Sequence, residues 1–242
     1  MYKWLFAARI SQAQFHEYVP GFNNTKHFIR MKVISTNIGE SRLVEWRGQQ
    51  VSTGIYKYPV DEPIFLGLED VQNDQVMDRR YHGGKDKACY LYSSDCYSFW
   101  KNKYPDLDWQ WGMFGENLTV EGLNEAEILI GDIYRIGEAV VQVSQPRQPC
   151  FKLGIRFGNQ QAVDDFWHLP YPGVYVRVIE PGKVNVGDEL LLLERNPESL
   201  SLAQVFSVFR VDRENRALMQ KAIAEPFLAE SCRKDIRKIL EF

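Results

Sequence analysis

Ala139-Val140-Val141-Gln142-Val143 runs straight into Ser144-Gln145-Pro146-Arg147-Gln148-Pro149-Cys150. The first five residues are rich in β-branched side chains and read as a strand. Each proline fixes its own φ and pushes the residue before it out of helical conformation. The two prolines therefore make a stiff, extended turn with Arg147 between them and Cys150 at its exit. The same alternation of short strand and turn recurs along the chain. Strand-like runs are predicted at Met31–Ser35, Arg42–Trp46, Gln50–Thr53, Ile64–Leu66, Ala88–Tyr92, Glu127–Ile130, Val174–Ile179 and Glu189–Leu193. Turn chemistry separates them at Asn37-Ile38-Gly39, Arg47-Gly48, Gly131-Asp132, Ile136-Gly137, Pro181-Gly182 and Gly187-Asp188. Many short strands with frequent turns predict a mainly β body, a barrel or a sandwich.

Two helices interrupt this pattern, over 93–103 and 160–168. Beyond Asn196-Pro197 the period changes to helical. Ser201 is a candidate N-cap ahead of Leu202, Val205, Phe206 and Phe209. Asp212 is placed to cap a second helix carrying Leu218 and Ile223. Pro226 suits the first turn of a third, with Leu228, Cys232, Ile236, Ile239 and Leu240 along one side. The expected organisation is an N-terminal extension over 1–30, a β domain over 31–195 and a three-helix segment over 196–242. The extension is set apart by its lack of periodicity, and Met31 reads as the natural start of the domain.

The 242 residues include 45% hydrophobic and 25% charged side chains, the balance of an ordinary globular protein. A net charge of −3 gives no global reason to expect nucleic acid or an anionic membrane as partner. The four cysteines, Cys89, Cys96, Cys150 and Cys232, form no C-x-x-C pair and have no histidine at zinc-site spacing. Reduced thiols in a cytoplasmic protein are the expectation. No apolar run approaches the roughly 20 residues that span a bilayer.

Four stretches carry candidate chemistry. The thiol of Cys150 on its rigid mount is either a nucleophile or metal ligand, or a packed small hydrophobe. Asp78-Arg79-Arg80-Tyr81-His82-Gly83-Gly84-Lys85-Asp86-Lys87 combines paired glycines, which let backbone N–H groups approach an anion, with flanking cations. It is otherwise a charged surface hairpin. Phe114-Gly115-Glu116-Asn117-Leu118 offers an amide able to read a heterocycle edge, or simply a turn into the next strand. Lys57, before Tyr58-Pro59, stands on a strand and reads alone as a solvent-facing charge. No G-x-S-x-G elbow, Walker loop or dinucleotide fingerprint occurs.

Together, in this order, these motifs resemble the MOSC family, named after the C-terminal domain of molybdenum cofactor sulfurase, and most closely its YiiM-like branch. The resemblance runs through Thr53–Lys57, Asp78–Ala88, Phe114–Leu118, Ile130–Asp132 and Gln145–Leu153, and the helical tail looks like the three-helix region of that branch. It implies a MOSC-type β-barrel that binds the molybdenum cofactor, a molybdopterin, with Cys150 as the ligand to the metal and the catalytic residue. A soft thiolate suits such a metal. Pterin and phosphate then fall to Lys57, Arg80, His82, Gly83, Gly84, Lys87, Asn117 and Arg147. The implied activity is reduction of a small N-hydroxylated substrate, such as a hydroxylaminopurine-type base analogue, by oxygen-atom transfer. A cofactor or sulfur carrier is the alternative. With no ferredoxin-like cysteine cluster in the chain, electrons are expected from a separate reductase.

Overall fold

The structure is a computed structural model that describes residues 30–75 and 83–241. The proposed extension over 1–30 falls, save for Arg30, outside the described residues. Twelve strands are present: β1 (Lys32–Gly39), β2 (Arg42–Trp46), β3 (Gln49–Thr53), β4 (Lys57–Pro59), β5 (Ile64–Leu66), β6 (Cys89–Ser93), β7 (Leu118–Glu121), β8 (Ile133–Ile136), β9 (Ala139–Pro146), β10 (Val174–Glu180), β11 (Gly182–Val184) and β12 (Leu190–Glu194). Among the described residues six α-helices accompany them: α1 (Tyr97–Lys103), α2 (Phe151–Arg156), α3 (Gln161–His168), α4 (Leu202–Ser207), α5 (Arg216–Ala224) and α6 (Glu230–Leu240).

The fold is mainly β, as expected. Eight strands form one sheet in the order β12-β8-β9-β10-β6-β7-β1-β4, while β11-β5 and β2-β3 form separate two-stranded ribbons. The sheet curls until its far members meet. Val33 donates to the Asp188 carbonyl and Leu190 to that of Met31, each at 2.9 Å. The ladder continues no further than this corner, so the structure is a curled sheet with touching ends rather than a continuously bonded barrel. All neighbours pair antiparallel except β6 and β7. Parallel neighbours need a long crossover, and here it carries α1 and the aromatic loop up to Asn117.

Strand β9 shows why this sheet is buried on both faces. Seven of its eight residues are buried, leaving only Gln142 part-exposed. On one side lies an aliphatic cluster that includes Val33, Leu118, Ile136, Val141 and Val176. Tail residues Leu202, Val205, Met219, Leu228 and Ile236 belong to that same cluster, so the tail packs on the sheet and completes its core. On the other side lies an aromatic cluster with Tyr90, Tyr92, Tyr97, Trp100, Phe114 and Phe166.

Several local expectations need correction. The run 127–130 is not a strand. Asn124 accepts from Ala126 through its side chain and from Ile128 through its carbonyl, folding the segment into turns. The strand of this region is β8, squeezed between two turns that share so few residues that its period was invisible. Helix α2, directly after Cys150, was not expected, because six residues show too little periodicity. Ser201 does cap α4, in a capping box with Gln204. Asp212 does not cap α5: the side chain of Asn215 accepts from Leu218 N–H at 3.1 Å instead. Pro226 precedes the third tail helix rather than opening it, since α6 starts at Glu230.

Candidate functional site

The Gln145–Cys150 turn leaves β9 and ends at Cys150, whose extended backbone stands immediately before α2. The turn forms one wall of an open cavity of about 650 Å³, lined among others by Lys57, Asp74, Gly83, Lys87, Tyr90, Asn117, Arg147, Cys150, Lys152 and Tyr175. Six of the residues singled out from sequence thus converge: Lys57, Gly83, Lys87, Asn117, Arg147 and Cys150. Gly84 lies next to the lining, in the same loop. Both glycines have positive φ, 81° and 77°, which bends the chain without side-chain cost. Arg80 and His82 lie outside the described residues.

Arg147 is the most informative member. It is only 5% exposed, and its Nη1 has no hydrogen-bond partner. Its guanidinium sits 5.3 Å from the Tyr90 ring centroid and 5.0 Å from that of Phe166. Such desolvated cation–π contacts contribute about 2 kcal/mol each, less than the several kcal/mol that burial of an ion costs. No acidic side chain pairs with it among the described residues. Cys150 and Tyr175 are close enough to act on it electrostatically. Lys87 supplies a second cation, its ammonium pulled below its usual pKa chiefly by burial, and lies 5.9 Å over the Tyr175 ring. Burial likewise pushes the hydroxyls of Tyr90 and Tyr175 up, so both remain neutral donors.

The opposite wall is electrically closed. Lys57 is buried, not solvent-facing, and forms an ion pair with Asp74. Asp74 also accepts from the Gly39 N–H at 2.8 Å and from Asn117 Nδ2 at 3.1 Å. Asn117 Oδ1 in turn accepts from Tyr90 N–H at 3.3 Å. The amide expected to read a heterocycle is therefore engaged with protein groups, and the Lys57 charge is neutralised locally. Gly112 lets this wall close up: at φ 83°, a Cβ there would stand 2.7 Å from the Lys57 carbonyl oxygen.

Comparison with known proteins identifies the architecture. The MOSC domain family matches residues 78–191. The protein YflK of Bacillus subtilis is 38% identical over 209 residues, covering 86% of this chain and 94% of its own. The chain belongs to the MOSC domain family. Within that family it is YiiM-like. The crystal structure of YiiM from Geobacillus stearothermophilus superposes with a TM-score of 0.73 at 34% identity, covering 87% of this chain and 99% of that one. YiiM of Escherichia coli is 35% identical over 145 residues, 59% of this chain and 65% of its own length. A Gibberella moniliformis protein named Reductase is 33% identical over 183 residues, which is 74% of this chain and 32% of that larger protein.

On this MOSC scaffold, Asp74, Tyr90, Lys152 and Tyr175 join the pocket without having been named from sequence as site residues. Tyr90 and Tyr175 stand opposite each other in the register of β6 and β10, a pairing that only the strand order reveals. Asp74 precedes the basic loop by a few residues, and its acidity was the one available signal. Among the described residues no three His, Cys, Asp or Glu side chains come together to hold a bare metal ion. No helix there is long and apolar enough to cross a membrane.

Proposed function

We propose that this MOSC protein is a molybdenum-cofactor-dependent oxidoreductase that reduces small N-hydroxylated compounds, hydroxylaminopurine-type base analogues among them. The observation that carries the reading is the buried Arg147, with no acidic partner and an orphaned Nη1 among the described residues, in the same cavity as the thiol of Cys150. A cation held at that cost fits an anionic group, and a lone thiol fits a metal that brings its other ligands with it. Cys150 would ligate the metal, and Arg147, Lys87 and Lys152 would hold the phosphate and the anionic edge of the cofactor. Lys57 and Asn117 would act indirectly, by keeping Asp74 and the strand ends in place. Bound there, the cofactor supplies the two-electron chemistry that removes oxygen from nitrogen.

The overall conversion balances as R–NHOH + 2 e⁻ + 2 H⁺ → R–NH₂ + H₂O. No ferredoxin-like cysteine cluster occurs in the sequence, so a separate reductase would deliver the electrons. The name of the fungal relative supports a redox role. The lining of the cavity includes Tyr90, Phe114 and Tyr175; a flat base would find aromatic surface in the same cavity as the thiol.

The test is to purify the protein from cells that make the cofactor, measure molybdenum and released pterin fluorescence, and assay reduction of a hydroxylaminopurine with a chemical reductant. Bound cofactor with turnover supports the proposal. Cofactor without turnover would instead favour a carrier, and a thiol protein free of pterin would sink both.

A further inference from the structure

The helical tail reaches the pocket from behind and touches both of its cationic walls. Arg177 on β10 donates from Nε to Asp86 Oδ1 at 2.6 Å and from Nη1 to the Phe227 carbonyl at 2.7 Å. Asp86 is the middle residue of the Lys85–Lys87 turn, so this fork ties the loop presenting Lys87 to the start of the third tail helix. Two residues on, Ala229 N–H donates to the Ser144 carbonyl at 3.0 Å. The Ser144 hydroxyl lies 2.6 Å from the Asp86 carbonyl and 2.8 Å from that of Tyr175, joining the two walls directly. Ser231 Oγ donates to Gln145 Oε1 at 3.0 Å, and Cys232 hydrogen-bonds with Gln148. Residues 227–232 therefore hold, in order, the basic loop, the end of β9 and the Cys150 turn.

We infer that this segment is a clasp that sets the spacing between the Gly83–Lys87 loop and the Gln145–Cys150 turn, with Arg177 as its positioning residue. Loops not anchored in this way open at low free energy. A guanidinium fork with one arm on a carboxylate and the other on a carbonyl fixes two elements at once, which an ammonium cannot do. The tail is thus part of the binding site, although none of its residues lines the cavity. The inference deepens the proposed function, but its main readout does not depend on it.

That readout is alkylation of Cys150 by iodoacetamide in the cofactor-free full chain. Cys89, Cys96 and Cys232 are all fully buried, so the fast-reacting thiol is Cys150. Arg177→Gln and Asp86→Asn, polar replacements at part-buried positions outside the apolar core, are each expected to speed labelling about fivefold, the shift in an opening equilibrium that one lost hydrogen bond produces. Arg177→Lys, which keeps the charge but not the fork, should fall between. Thermal unfolding midpoints serve as the control for folding. Unchanged labelling in folded Arg177→Gln and Asp86→Asn would overturn the clasp. Faster labelling in a protein that never carries pterin would leave the clasp standing and remove the cofactor reading. Normal pterin with unchanged labelling would do the reverse.

Discussion

Two buried side chains, Glu116 and Arg147, both touch the same aromatic cluster and are treated in opposite ways. The Glu116 carboxylate accepts from Tyr97 Oη at 2.5 Å, from the N–H groups of Gly112 and Phe114 at 3.0 Å each, and from Thr119 Oγ1 at 2.9 Å. Burial raises its pKa, and the bonds from Tyr97, Thr119 and Gly112 oppose the rise. Arg147 has aromatic rings around it, no acidic partner among the described residues, and one nitrogen without a partner there. A fully satisfied buried charge serves architecture, here the loop that carries Asn117. An incompletely satisfied one is what the proposed binding role would require.

The comparison can be broken most decisively at the thiol. Cys150→Ser should reduce retained molybdenum to background while circular dichroism and the unfolding midpoint stay those of the parent; retained metal would end the ligand assignment. Next in size, Glu116→Ala should cost about 3–5 kcal/mol in denaturant unfolding, because it strands four buried donors at once. Arg147→Met should do the opposite on both axes. Stability should hold or rise by about 1 kcal/mol, since a buried charge is removed, and cofactor content should fall at least about tenfold, the loss of one charge-assisted contact. If Arg147→Met instead destabilised the fold as Glu116→Ala does, the distinction would be wrong.

Glu125 sharpens the point. It too is fully buried with one oxygen, Oε2, unpartnered, yet it does not line the Cys150 cavity. Burial pushes its carboxyl up to about 8, so at neutral pH it holds its proton and carries no charge. Arginine has no such escape, and of the described arginines with an unpartnered buried nitrogen, Arg147, Arg156 and Arg233, Arg147 alone lines the Cys150 cavity. Because the folded state keeps a proton that the unfolded state releases near 4.5, Glu125 makes stability fall as pH rises between roughly those two values. Glu125→Gln should remove up to about 1.4 kcal/mol per pH unit of that slope, measured by urea titration at pH 5, 6 and 7. The smallest effect lies outside both regions: Ser201→Ala removes one half of the α4 capping box and should cost about 1 kcal/mol.

What the sequence revealed of this site depended on how local each signal was. The Pro-Arg-Gln-Pro-Cys turn is rigid by its own covalent geometry, so it was legible before any fold was known. The order of motifs was enough to suggest the family. Lys57 was misleading because nothing near it in sequence shows that Asp74 will fold back onto it. Tyr90 and Tyr175 became site residues only when β6 and β10 were placed side by side. The same limit explains the local errors. Asp212 and Asn215 are equally good caps by residue type, and the choice between them rests on where the tail helices pack. In 127–130, apolar residues that imitate a strand are instead drawn inward one by one, and Leu129 forms a lone bridge with Ser201.

The clasp also bears on the order in which the protein acquires its shape. The bonds that complete it join residues separated by 50, 86 and 91 positions, whereas the β2–β3 and β8–β9 hairpins join near neighbours. Closing long loops is slow compared with forming hairpins. The pocket mouth is therefore expected to form after the hairpins, and a chain caught part-way would hold Arg147 and Cys150 on a turn not yet clasped. On this kinetic view, the proposed cofactor capture would be reserved for molecules that have finished folding.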